Sequence, residues 1–200
     1  MTPPPLSADR LFEIFRSQAF LEMQGLSGEV PLFIQTYDPA EEETTKRIVS
    51  SLVTRLSAEG ITAASVNLFA LAIRPLEESG KLERILEKEA SLGKKKMLEL
   101  MASNTDAKTQ IMPALVAAMS QPSVRLTLIT GVGSVFPFLR THSLLESIQP
   151  VLLEHPVVFF FPGEYTQLEG LGSQLRLFGH MAAKRYYRAF NLDHYQLSAA

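Results

Sequence analysis

Apolar residues recur along this chain with two different periods, and the alternation between those periods predicts an α/β fold. Residues 126–130 and 157–161 form short apolar runs, the first within a predicted strand over 124–130, and residues 31–37 predict a further strand. Such runs are typical of strands buried on both faces of a parallel sheet. Elsewhere, apolar residues three and four apart predict amphipathic helices, the first over residues 7–25 with Ser7 as its N-cap.

The first strand and the segment after it predict a βαβ unit. Asp38 and Pro39 follow the strand as the N-cap and first residue of a helix. Three glutamates, 41–43, occupy the positive end of this helix, and Gly60 ends it. The helix is long enough for a right-handed crossover, so we expect a second, parallel strand over residues 61–69.

The remainder of the chain predicts helices inserted before the central strands. Residues 70–121 are helical and charged, with glycine and proline breaks that divide them into short helices. An irregular helix over 136–153 should separate the two central strands. Residues 175–183 fit either a helix or a strand with a turn, and residues 186–192 predict a final edge strand.

These elements together predict one three-layer α/β domain over residues 1–200. Its mostly parallel sheet has about five strands flanked by helices, and we expect a P-loop-like topology without a Walker A motif. The helical insertion lies at about residues 70–121. The carboxyl ends of the parallel strands are the expected location of a binding site.

Composition narrows the class of protein. A chain of 200 residues that is 46% hydrophobic can bury a sizeable core, and a net charge of −2 provides no general attraction to nucleic acid. The absence of cysteine excludes disulfides and thiolate metal sites and is compatible with a reducing compartment. No secretory signal and no apolar run of membrane-spanning length occurs, so we expect a cytoplasmic protein.

The motifs of common enzyme classes are incomplete. No phosphate-binding G-x-x-x-x-G-K-[ST] loop is present, and Pro39 removes an N–H donor where such a loop would lie. Gly131 and Gly133 form only part of a dinucleotide fingerprint, because Phe136 occupies the third glycine position. The four histidines lack metal-ligand spacing, and no serine lies in a G-x-S-x-G elbow. We therefore expect no catalytic activity, metal or cofactor.

Two turns at strand ends are candidates for binding. Gly131 and Gly133 permit close backbone approach, although a tight strand-to-helix turn is the simpler explanation for them. Glu164 and Tyr165 lie in a predicted turn over residues 162–165, where a carboxylate and a phenol could bind a partner or move a proton. An enzyme that pairs Glu164 with Asp38 is a weaker alternative, because helix capping already explains Asp38.

The last quarter of the chain interleaves cations with aromatic rings, as a nucleic-acid surface or a protein hot spot does. An edge strand that alternates buried rings with solvated cations would produce the same pattern. Both interpretations stay open for this set of residues, which comprises Arg176, Lys184, Arg185, Tyr186, Tyr187, Arg188 and Phe190.

Several longer stretches occur in a specific order. They are LFIQTYDP at 32–39, TGVGSVFPFLR with THSLL at 130–145, QPVL at 149–152, FFPGEY at 160–165, LRLF at 175–178 and YYRAFN at 186–191. Taken in this order, these stretches resemble the BrxB family of bacterial BREX phage-exclusion systems. The resemblance spans most of the chain and is more specific than any single turn.

This resemblance implies an antiviral defence protein that acts beside a DNA methyltransferase, a large ATPase and the phosphatase-like protein PglZ. We expect a noncatalytic adaptor whose partner is another BREX protein, most of all PglZ, with indirect association with DNA and no membrane contact. A degenerate nucleotide- or nucleic-acid-binding module is the alternative. The candidate partner-binding residues are Gly131, Gly133, Phe136, Arg140, Glu164, Tyr165, Arg176, Tyr187, Arg188 and Phe190.

Overall fold

A computed structural model describes residues 7–26, 30–148, 153–168, 172–182 and 189–197. The strands are β1 (Leu32–Tyr37), β2 (Thr62–Asn67), β3 (Val124–Thr130), β4 (Val157–Leu168), β5 (Gly172–Leu177), β6 (Met181–Ala182) and β7 (Phe190–Asn191). The α-helices are α1 (Ala8–Arg16), α2 (Gln18–Leu21), α3 (Glu42–Ala58), α4 (Leu68–Glu78), α5 (Lys81–Glu87), α6 (Glu89–Ser103), α7 (Met112–Met119) and α8 (Thr141–Ile148). A π-helix (Ala107–Ile111) precedes α7, and 3-10 helices cover Pro39–Glu41 and Leu192–His194.

The central sheet is parallel, in the order β2-β3-β4-β1-β7. The register of β1 on β4 runs from Leu32 opposite Val157 to Tyr37 opposite Pro162. Beyond Pro162, β4 continues and pairs antiparallel with β5, which in turn pairs with β6. The predicted α/β fold with a mostly parallel sheet flanked by helices is confirmed, while the P-loop-like topology stays a prediction.

Helices cover both faces of the sheet because consecutive strand residues point in opposite directions. Phe33 belongs to the core formed with α1, α2 and α3, on what we call the α3 face. Ile34 belongs to the core formed with α4, the π-helix, α7 and α8, on what we call the insertion face. Helices α5 and α6 pack on α4 in a small separate cluster around Ile85. The predicted helical insertion between β2 and β3 is therefore confirmed.

Two of the predicted helices have different bounds. The first helix breaks at Ser17, whose hydroxyl caps α2 by accepting from the amide of Phe20. The helix expected over 136–153 begins only at Thr141, because residues 132–138 form turns and Pro137 has no N–H to donate to a helix. Residues 149–152 lie outside the described part of the chain.

The predicted turn over residues 162–165 is wrong. These residues continue β4 as far as Leu168, because β5 supplies an antiparallel partner for each residue from Gly163 onward. The strand-and-turn alternative for 175–183 is confirmed by β5, a turn at 178–180 and β6. Of the final predicted strand, Phe190–Asn191 forms β7 beside β1, and 183–188 fall outside the described residues.

Among the described residues, no helix combines the length and the apolar character needed to cross a bilayer.

Candidate functional site

The carboxyl ends of β2, β3 and β4 meet at one edge of the sheet. A Cβ atom placed on Gly131 would lie 2.9 Å from the side-chain oxygen of Asn67, at the end of β2. A Cβ atom placed on Gly133 would lie 3.0 Å from Pro162 and 3.1 Å from the ring of Phe178. We call these five residues the carboxyl-edge surface. The glycine pair and the Pro162 segment, which are far apart in sequence, therefore contact each other.

The continuation of β4 forms an antiparallel arm beside this surface. We define the arm as residues 163–168 of β4 together with β5 and β6, and its six β4 residues amount to about 20 Å of strand. The arm begins with a close backbone contact at Gly163, which pairs with Leu177. The amide of Phe178 then donates to the carbonyl of Pro162 at 2.8 Å. The carboxyl-edge surface is thereby joined directly to the arm.

Phe178 has an unusual backbone conformation where the carboxyl-edge surface meets the arm. Its φ is +55°, a left-handed value that is rare for a bulky residue and costs of order 1–3 kcal/mol. The ring packs edge-on against Phe136, with centroids 6.1 Å apart, and contacts the backbone at Gly133. Such strain persists only where neighbouring contacts fix the residue, and it concentrates at functional positions.

Further apolar side chains reach solvent at the same edge. Phe69 is 43% exposed and lies against Phe138, with ring centroids 6.5 Å apart. Met181 of the arm is 40% exposed. Sequence analysis did not select Phe69, Phe138, Phe178 or Met181, although Phe138 and Phe178 occur in the stretches that resemble the family. Phe69 could have been noticed from the sequence, because it lies two residues after Asn67, the N-cap at the end of β2.

Three charged candidates are exposed, two of them on the arm. Glu164 and Arg176 face each other across β4 and β5 with 3.9 Å between their charged atoms, and both side chains are about half exposed. An exposed pair of this kind contributes little to stability, so its charges remain available to a partner. Arg140 is also exposed, and its backbone carbonyl accepts from the amide of Ser143 at the start of α8.

Two other candidates have structural roles. The hydroxyl of Tyr165 donates to the carbonyl of Ala189 at 2.9 Å, which ties the arm to the segment before β7. Phe190 packs against Phe33 on the α3 face, with ring centroids 5.7 Å apart. Tyr187 and Arg188 fall outside the described residues, as do Lys184, Arg185 and Tyr186. The described candidates are therefore divided between the carboxyl edge and the core.

A family model described as "BREX protein BrxB" matches residues 64–192 of the chain, which include the whole carboxyl-edge surface. The chain belongs to the BrxB family. It is 30% identical over 191 residues to a BREX protein BrxB of Bacillus cereus (strain H3081.97), covering 92% of this chain and 94% of the relative. It is 27% identical over 173 residues to a BREX protein BrxB of Escherichia coli O9:H4 (strain HS), covering 86% and 83%. No solved structure matches the fold significantly.

The end of β1 in this BrxB family member carries acidic and hydroxyl groups in place of a phosphate loop. Asp38 caps the following helix by accepting from the amide of Ala40 at 2.9 Å. The hydroxyl of Tyr37 donates to the carboxylate of Glu42, and burial together with that carboxylate raises the pKa of Tyr37. Lys46 lies 3.7 Å from the second oxygen of Glu42. These groups would repel a phosphate more than bind one.

No group of three or more histidine and carboxylate side chains in the described ranges is arranged to hold a metal ion. His155 is buried instead against Thr127, with 2.8 Å between the imidazole Nε2 and the hydroxyl oxygen. Desolvation lowers the pKa of His155, and the nearby Glu154 opposes this shift. This histidine therefore belongs to the core between β3 and β4.

Proposed function

We propose that this protein is a noncatalytic adaptor of a BREX system. It binds another BREX protein through the carboxyl-edge surface, the exposed side chains of Phe69 and Arg140, and the arm. Membership of the BrxB family supports the BREX setting, because both relatives carry the name BREX protein BrxB. PglZ, the partner implied by the resemblance, is the first candidate. The incomplete catalytic motifs support a role in assembly.

The observation that carries this proposal is the strained, packed position of Phe178 beside exposed apolar groups. Protein hot spots combine apolar or aromatic anchors at the centre with polar groups around them. Phe69 and Met181 supply exposed apolar area, while Phe178 is held in place by Phe136 and by the backbone at Gly133. A side chain that is already fixed loses little conformational entropy when a partner binds.

The charges at the rim of this surface fit the same role. Glu164 and Arg176 present one negative and one positive group side by side, and Arg140, four residues after Phe136, adds an exposed positive group. A mixed rim selects a partner of complementary charge and does not attract polyanions in general. This arrangement favours a protein partner over the nucleic-acid alternative.

Copurification tests the proposal directly. A tagged chain is purified from cells that carry the complete BREX gene set, and the affinity of purified PglZ for the purified chain is then measured. We expect Phe69→Ser and Arg140→Glu each to weaken binding by about tenfold or more, as loss of an interface anchor or a rim charge does. Circular dichroism verifies that both variants are folded.

The matched control is Leu86→Ser. Leu86 is 55% exposed but lies on α5, whose Leu82 and Ile85 belong to the small cluster that packs on α4. We expect this variant to bind as the wild type does. Equal losses for Leu86→Ser and Phe69→Ser would refute the assignment of the surface. The adaptor role fails if the purified chain binds no BREX protein and instead binds DNA with a steep dependence on salt.

A further inference from the structure

A cavity of about 180 Å³ opens at the carboxyl end of β1, on the α3 face. Its walls include the apolar side chains of Leu11, Ile48 and Phe160, which come from α1, α3 and β4. Polar residues of β1 and of the first turns of α3 complete the lining. An apolar cavity of about 150 Å³ accommodates a benzene ring, so this one has room for a group of that size.

Gln35 gives the cavity a buried hydrogen-bond acceptor. This side chain lines the cavity and is only 3% exposed. Its Nε2 donates to the carboxylate of Asp193 at 2.9 Å and to the carbonyl of Thr36 at 3.1 Å. Because both of those partners are acceptors, the amide cannot be turned around without losing both bonds.

The carbonyl oxygen of Gln35 is consequently left without a hydrogen-bond donor. Its Oε1 is buried and has no protein partner. A buried acceptor with no donor costs about 1–3 kcal/mol. Because Oε1 is enclosed in the free protein, a ligand N–H group in the cavity would supply the missing donor once a neighbouring lining side chain moves aside.

The charge around the cavity defines the ligand further. The described lining residues include two acids, Asp38 and Glu41, and neither lysine nor arginine. Both acids are exposed, so they lie where the cavity meets solvent. A buried neutral acceptor behind an acidic rim favours a cation that carries several N–H donors, and it disfavours phosphate.

We propose that this cavity binds a guanidinium group on an apolar stem, as an arginine side chain of a protein partner presents it. A guanidinium offers five N–H donors, is more weakly hydrated than an ammonium group and stacks on aromatic rings. The rings of Tyr37 and Phe160 are part of the lining, and the apolar walls suit the methylene stem. The cavity lies on a different face from the carboxyl-edge surface. Binding of a guanidinium group in the cavity therefore does not depend on which BREX protein binds to that surface.

Titration of the purified full chain, followed by NMR, tests the inference without any BREX partner. The probes are N-acetyl-arginine methylamide, its neutral citrulline isostere, the lysine analogue and inorganic phosphate. We expect saturable binding of the arginine compound with shifts at the amides of Gln35 and Thr44. The citrulline compound should bind about tenfold more weakly, since it loses the charge-assisted hydrogen bonds. The lysine compound should also bind more weakly.

Matched variants then locate the binding. Glu41→Gln should weaken binding of the arginine compound, because Glu41 lines the cavity. Glu43→Gln removes the same charge, but Glu43 lies outside the lining and pairs with Lys46 at 2.7 Å, so this variant should bind as the wild type does. Ile48→Phe should fill the cavity and abolish binding in a folded chain. Absence of saturable binding, equal binding of citrulline, displacement by phosphate, or equal losses from the two glutamate variants would each overturn the inference.

Discussion

Gly163 lies so close to β5 that adding a single methyl group, as in Gly163→Ala, should destabilise the arm. A Cβ atom on this residue would lie far inside van der Waals contact with the carbonyl oxygen of Arg176 and 2.9 Å from the amide nitrogen of Phe178. Both neighbours are backbone atoms, so neither can rotate away as the end of a side chain could. Gly163 also has a φ of +150°, which side-chain-bearing residues rarely adopt.

The expected loss follows from these two effects. The unusual backbone conformation costs of order 1–3 kcal/mol for alanine. If β5 moves away, about two hydrogen bonds near the start of the arm are lost, at about 0.5–1.5 kcal/mol each. We therefore expect Gly163→Ala to lower the free energy of unfolding, or that of opening the arm, by about 2–6 kcal/mol.

Gly60→Ala is the matched control. Gly60 has a φ of +77° at the end of α3, and a Cβ atom there would have no neighbour within 4 Å. This variant changes only the backbone strain, with an expected loss of about 1–2 kcal/mol. Urea denaturation followed by far-UV circular dichroism measures global stability, and amide hydrogen exchange measures opening of the arm. The reasoning fails if Gly163→Ala loses no more stability than Gly60→Ala and the arm amides stay protected.

Three further predictions concern single polar side chains. The pKa of His155 is lowered in the native protein, so folding favours its neutral imidazole. The resulting contribution to stability should be complete above about pH 6.5 and should fall as the pH drops below that value. In urea denaturation, His155→Gln should flatten this pH dependence. Tyr37→Phe removes the hydrogen bond to Glu42 and should cost about 1.5 kcal/mol in the same assay, so an unchanged midpoint would contradict it. Asn67→Ala removes the cap of α4 and should cost about 1 kcal/mol, whereas Asn67→Asp should retain most of it.

The sequence predicted the elements whose signals are local. β3 covers residues 124–130 as expected, and β1 begins one residue later than expected. Both are buried apolar runs that end at residues unable to extend them. The helix after Asp38 follows from a cap, a proline and three acids, all within one turn and a half. Such signals depend only on residues that are close together in the sequence.

The arm could not be predicted because its cause is not local. Pro162 followed by Gly163 is normally the mark of a turn, and only the antiparallel partner β5 makes the same residues continue as a strand. The strained φ of Phe178 likewise depends on contacts with Gly133 and Phe136, about 40 residues earlier. The part of the candidate surface that sequence analysis missed therefore consists of residues positioned by long-range pairing.

The strand order explains why the two proposed sites are separate and yet adjacent. The crossovers that follow β2 and β3 pack on the insertion face, whereas α3, which follows β1, packs on the opposite face. The change of face lies between β3 and β1, which flank β4, and ligands of open α/β sheets collect at such a point. At this point Pro162 of the carboxyl-edge surface pairs with Tyr37 of the cavity, on neighbouring strands about 4.8 Å apart. A partner that presents an arginine beside an apolar patch could therefore contact both sites at once.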